Sequence, residues 1–131
     1  MIDWVAPGGD PTSPAMATLR RLTRDGEAIV APELLFVECA NALAAGVRRR
    51  RWTGAQADAA YDLLAALPVR AVGDRRYLDR AWEMSRRYDN HPVHDMLYAA
   101  TADAFGAVFI TADEVLLRRL SRLGWVQRPR T

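Results

Sequence analysis

Three carboxylates stand where this chain has little ordinary need of them. Glu38 interrupts the apolar run LLFVECANAL, between Phe36, Val37, Cys39 and Ala40. Asp95 follows the turn-like HPVH, and Asp113 lies just beyond the apolar stretch AVFIT. A charge on an apolar surface costs several kcal/mol unless it turns to water or meets a cation. Carboxylates crowded together repel one another, and a divalent cation is the usual remedy. Oxygen-only donors suit Mg²⁺ or Mn²⁺ rather than zinc. Ions held this way clamp a phosphodiester for in-line hydrolysis. Each acid also has a plainer use: Asp113 as a helix cap, Asp95 as an acid at a positive helix end, Glu38 as a side chain rotated to solvent.

The elements that would position these acids are marked by punctuation. Ser13-Pro14 opens a helix through LRRLTR that stops near Gly26. AIVA, Ala28 to Ala31, reads as a short buried strand, and Pro32 starts the helix that carries Glu38, with Gly46 loosening or ending it. Thr53 and Gln56 fit a capping box for a helix running to Pro68. VRAV, Val69 to Val72, reads as a strand, and Asp74 caps a helix through YLDRAWEMSRRY. DNHPVHD is a turn into a helix that ends at Gly106. AVFIT, Ala107 to Thr111, reads as the clearest strand, EVLLRRLSRL as a helix up to Gly124, and Trp125 to Gln127 as a short last strand.

Strands alternating with helices predict an α/β layer fold with a parallel sheet and helices on both faces. In such sheets ligands bind beyond the C-terminal strand ends. Glu38, Asp95 and Asp113 each follow a strand end or lie near a helix start, so the pattern sends all three to one rim.

Bulk properties narrow the function classes. A chain of 131 residues suits one domain. No apolar run has the roughly 20 residues of a membrane helix, and MIDWVAPGGD is not a signal peptide. A single cysteine, Cys39, excludes an internal disulfide and reads as a small core residue. Both features point to the cytoplasm and to no membrane partner. The chain has no lysine, so all its basic side chains are arginine, which keeps a phosphate-bearing partner open at a net charge of only +2. Arg48 to Arg51 read as a solvated helix end with RNA contact as the second reading, and His91 and His94 as surface or capping residues of a turn. Trp4, Trp52, Trp82 and Trp125 form no recognisable stacking platform.

The order PELLFVECANAL, HPVHDMLYAATA, VFITADEVL resembles the PIN domain, specifically the VapC-like toxin ribonucleases, over nearly the whole chain. E-x-x-N-A-L is matched by Glu38, Asn41, Ala42 and Leu43; D-x-x-Y-x-A by Asp95, Tyr98 and Ala100; T-x-D-x-x-L by Thr111, Asp113 and Leu116. The resemblance implies a single PIN-like domain over residues 1–131, a three-layer α/β/α fold around a parallel sheet. It implies a metal-dependent endoribonuclease, the toxin of a VapBC-type toxin–antitoxin system. Glu38, Asp95 and Asp113 would then be the catalytic and metal-binding residues for Mg²⁺ or Mn²⁺, with Asn41 and Thr111 in support. The implied partners are a cognate antitoxin, RNA and a second copy of the chain.

The family pattern begins with an apolar central strand ending in an Asp, and nothing before MIDW matches it. Asp3 and Asp10 do not match that position. On this reading the chain lacks its N-terminal central strand and first acid, through a late start or a true truncation. Two alternatives follow: an inert PIN-like module that binds an antitoxin or RNA without cleaving, and an unrelated α/β phosphohydrolase that uses the same acids.

Overall fold

Local capping chemistry explains most of the helix starts in the computed structural model, which describes residues 1–130. Ser13 accepts a hydrogen bond from Met16 N at 3.2 Å and opens α1, Pro14–Arg24, with proline in its first turn. Thr53 and Gln56 form the expected reciprocal capping box at the start of α3, Gly54–Ala66. Asp74 caps α4, Arg75–Arg87, and Asp113 caps α6, Glu114–Arg119. Helices α2, Glu33–Arg48, and α5, Val93–Ala104, complete the set.

Helix ends follow one pattern. After α1, α2 and α5 the next residues fold back with hydrogen bonds to carbonyls three and five positions earlier. The turn needs a positive φ, supplied by Gly26 at 67°, Gly106 at 59° and, without glycine's freedom, Arg50 at 59°.

The chain groups into two compact units. The first holds residues 1–29, 33–70 and Arg130, hence α1, α2 and α3. Val5, Cys39 and Leu64 form its buried cluster, with Trp4, Leu35, Phe36 and Leu67 packed around it. Cys39, Leu43 and Gly46 make the buried stripe of α2, at the spacing of one helical face. Gly46 neither loosens nor ends this helix, contrary to the expectation, because it is a contact point. A Cβ there would be driven into the Trp52 indole, whose Nε1–H donates to Leu43 O at 2.9 Å. Thr18, 2% exposed, ties α1 to Arg130: its hydroxyl donates to Arg130 O at 3.0 Å and accepts from Arg130 N at 3.1 Å.

The second unit holds residues 30–32 and 71–129. Its core joins Ala81 and Met84 of α4, Met96, Ala99 and Ala100 of α5, and Leu116 and Leu120. Alanines at Ala81, Ala99 and Ala100 let α4 and α5 pack closely. Full burial of side chains such as Met96 and Leu120 contributes about 1.5–3 kcal/mol each. The class is α/β, as expected; the structure is helix-rich and its strands form two separate two-stranded sheets. Strand β1, Ile29–Pro32, pairs with β2, Val69–Val72, in one two-stranded sheet. Strand β3, Phe109–Ile110, pairs in parallel with β4, Val126–Gln127, in another, with Phe109 opposite Val126. Among the described residues each strand has one hydrogen-bonded neighbour, so the ladder cannot propagate. AVFIT therefore shortens to its middle, and α6 stops at Arg119 in tight turns instead of running to Gly124.

The α4 cap carries a pH signature. Both Asp74 oxygens accept from the Arg76 side chain, and Oδ1 also accepts Arg76 N at 2.8 Å. The guanidinium bonds, then the backbone bond, pull this carboxyl down to about 2 from 3.8. A lowered folded-state value means stability that is complete above the unfolded value and lost as pH falls through the folded one. The gap in melting temperature between wild type and Asp74→Ala is therefore expected to be full near about pH 6 and to shrink as pH falls from about 4 toward about 2. Thermal melts at those pH values check it.

Candidate active site

Each sequence-predicted acid lands on the element expected for it. Glu38 lies in the second turn of α2, in the first unit. Its carboxylate is exposed and makes no hydrogen bond or ion pair among the described residues. The helix buries Cys39 and Leu43 and turns Glu38 outward beside Val37, itself 64% exposed. The apolar run is thus only partly a core pattern, and the Glu38 side chain faces water. Asn41 is exposed one turn further on.

Asp95 and Asp113 belong to the second unit. Asp113 sits at the N-cap of α6, where Oδ1 accepts Leu116 N at 3.0 Å. Its own N–H donates to the Thr111 hydroxyl at 3.1 Å, which gives Thr111 a supporting contact. The plain capping role is real, but a carboxylate offers about four lone-pair positions and capping uses one of them. Asp113 Oδ2 stays available.

Asp95 lies in the first turn of α5, where the helix dipole favours its charge. Its side chain is 25% exposed and is gripped from both sides. His91 Nε2 is 2.8 Å from Oδ2, and His94 Nε2 is 3.3 Å from Oδ1. His94 is exposed, as the sequence suggested, with 61% of its side chain accessible, but it lies in the first turn of α5 rather than in the turn before it. His91 is buried: only 5% is exposed, so the surface reading of this histidine is corrected. HPVHD puts His91 four residues before Asp95, an interval short enough for the two to meet across Pro92 and the first turn of α5.

Taken singly, each carboxylate offers the oxygen ligands a hard divalent cation takes: among the described residues Glu38 is unpaired, Asp113 has a spare oxygen and Asp95 lies at a helix N-terminus. Within neither unit, among the described residues, do three His, Cys, Asp or Glu side chains stand close enough to share an ion. The basic end of α2, Arg48 to Arg51, is exposed, as expected of a solvated helix end, and Arg51 lies over the Trp52 ring at 5.1 Å. Cys39 is 3% exposed, and burial raises its thiol pKa above the ordinary value.

The chain is 36% identical over 118 residues to Ribonuclease VapC3 of Mycobacterium tuberculosis, from strains CDC 1551 / Oshkosh and ATCC 25618 / H37Rv alike; the match spans 90% of this chain and 80% of the relative. The family model described as PIN domain matches residues 2–123, nearly the full length, and the chain belongs to the PIN-domain family.

Proposed function

We propose that this chain is a metal-dependent endoribonuclease, the toxin of a VapBC-type pair, in which Glu38, Asp95 and Asp113 hold Mg²⁺ or Mn²⁺. The observation that carries the reading is likeness to a named ribonuclease over nine-tenths of the chain. Nothing in that likeness favours the inert-module alternative. When bound, the cation supplies positive charge at the phosphodiester and acidifies water for in-line attack.

The chain's own residues do the rest. Asp113 is held in place by Leu116 N and through the Thr111 hydroxyl. Glu38 presents an exposed carboxylate from a regular helix, a more rigid platform than a loop. Arginine, the chain's sole strongly basic residue type, is suited to bidentate phosphate contact. The partners under this reading are RNA, a cognate antitoxin that occludes the acids, and a second copy of the chain. The compartment is the cytoplasm; among the described residues no helix is long and apolar enough to cross a membrane.

Incubation with RNA in Mg²⁺ or Mn²⁺ is expected to yield cleavage that EDTA stops and fresh cation restores. A single-stranded DNA of the same sequence is expected to survive. Cleavage that persists in EDTA would remove the metal reading, and preference for DNA would remove the ribonuclease.

A further inference from the structure

The buried histidine beside Asp95 has more structure around it than a core residue needs. It follows two consecutive residues in left-handed backbone, Asp89 at φ 60° and Asn90 at φ 55°. Asn and Asp tolerate that region better than most residues, yet two in a row are a cost the surroundings must hold in place. Arg86 Nη1 donates to Asn90 Oδ1 at 2.8 Å. Arg119 Nη1 donates to Tyr88 O at 2.8 Å, the same carbonyl that accepts His91 N at 3.2 Å. The buried Ser85 hydroxyl donates to His91 O at 2.6 Å. The turn is therefore secured through backbone groups and the Asn90 side chain, with the Asp89 carboxylate also 3.9 Å from Arg119 Nη1. The His91 ring plays no part in it.

What the ring does is meet Asp95. An ionised carboxylate only accepts hydrogen bonds, so Nε2 carries the hydrogen and donates to Oδ2. Burying an imidazole costs free energy unless its polar atoms are used, and the use visible at Nε2 is Asp95. Pro92 and the start of α5 fix the separation between ring and acid. Carboxylates that ligate metals are commonly oriented by such a donor, which holds one oxygen and aims the other.

We propose that His91 is the positioning residue of Asp95: its buried Nε2–H anchors Oδ2 and thereby directs Oδ1 toward a divalent cation. This rests on the assignment of Asp95 as a metal ligand made above. His94 is exposed, with Nε2 3.3 Å from Oδ1, and takes no part in the anchor on Oδ2.

The test is Mn²⁺ affinity, read from the electron paramagnetic resonance signal of free Mn²⁺ as the chain is titrated in, with no RNA present. Wild type is compared with His91→Phe, His91→Asn, His91→Gln and Asp95→Asn, with far-UV circular dichroism as the check on folding. Loss of the donor is expected to weaken Mn²⁺ binding about 10–100-fold in His91→Phe. His91→Asn is expected to weaken it similarly, because its shorter amide cannot reach where Nε2 stood. His91→Gln places an amide N–H near the Nε2 position and is expected to recover affinity to within about threefold of wild type.

If His91→Phe and His91→Asn bind Mn²⁺ like wild type while Asp95→Asn has lost it, the positioning role is overturned and the metal site stands. Equal weakening by Asn and Gln also overturns it, as does unfolding of all three His91 variants, which would make the residue purely structural. If Asp95→Asn binds as well as wild type, or wild type binds no Mn²⁺, the metal-site assignment itself fails and takes this proposal with it.

Discussion

Asp95→Asn is expected to lower Mg²⁺-dependent RNA cleavage by about 10²–10³-fold while leaving the fold intact, the range seen when one preorganised electrostatic group is removed from a reacting centre. Asparagine keeps the size of the side chain and one carbonyl oxygen that can still accept from His91. What it removes is charge, the property a hard cation needs from this position. The cost to stability is small: the acid's favourable place at the N-terminus of α5 contributes about 0.3–1 kcal/mol. Cleavage assays on both proteins, with a thermal melt of each, separate the two effects. Cleavage by Asp95→Asn at the wild-type rate would sink the assignment of the site.

Gly46→Ala is expected to destabilise the chain by about 1–3 kcal/mol, the cost of forcing an extra carbon into a filled contact. Helix propensity alone predicts the opposite sign, since alanine is favoured over glycine by about 1 kcal/mol inside a helix. Packing prevails because the obstacle is the Trp52 ring rather than the end of a flexible side chain. That ring cannot easily retreat, with its Nε1–H bonded to Leu43 O and Arg51 lying across it. Urea unfolding of Gly46→Ala gives the first value. The same change made in a Trp52→Ala background is the control, because contacting residues couple in double-mutant cycles. There Gly46→Ala is expected to become neutral or stabilising. Destabilisation that survives without the indole would mean the steric account is wrong.

Glycine 46 and histidine 91 mark the limit of what spacing alone conveys. From the sequence Gly46 is a weak point in a helix and His91 one of two polar residues in a turn. Both readings rest on intrinsic preference, and in both cases a neighbour in space overrides it: an indole from beyond the end of α2 in one, a carboxylate in the first turn of α5 in the other. The four-residue interval between His91 and Asp95 could have been noticed. The closeness of Trp52 to Gly46 could not, because it depends on how the chain turns after α2 through Arg50 in left-handed backbone.

Helix starts were legible because capping is a local interaction. Ser13, Thr53 with Gln56, Asp74 and Asp113 each satisfy N–H groups within three residues, so residue type and spacing suffice. The order of strands and helices was legible for a similar reason. Tertiary structure alone decided the outward direction of Glu38, the burial of His91 against Asp95, and the division of the expected sheet into two pairs of strands. A strand's length depends on whether a partner lies along its edge, and a side chain's exposure on what packs against its neighbours. Both are properties of distant segments brought together, which no short window of residues contains.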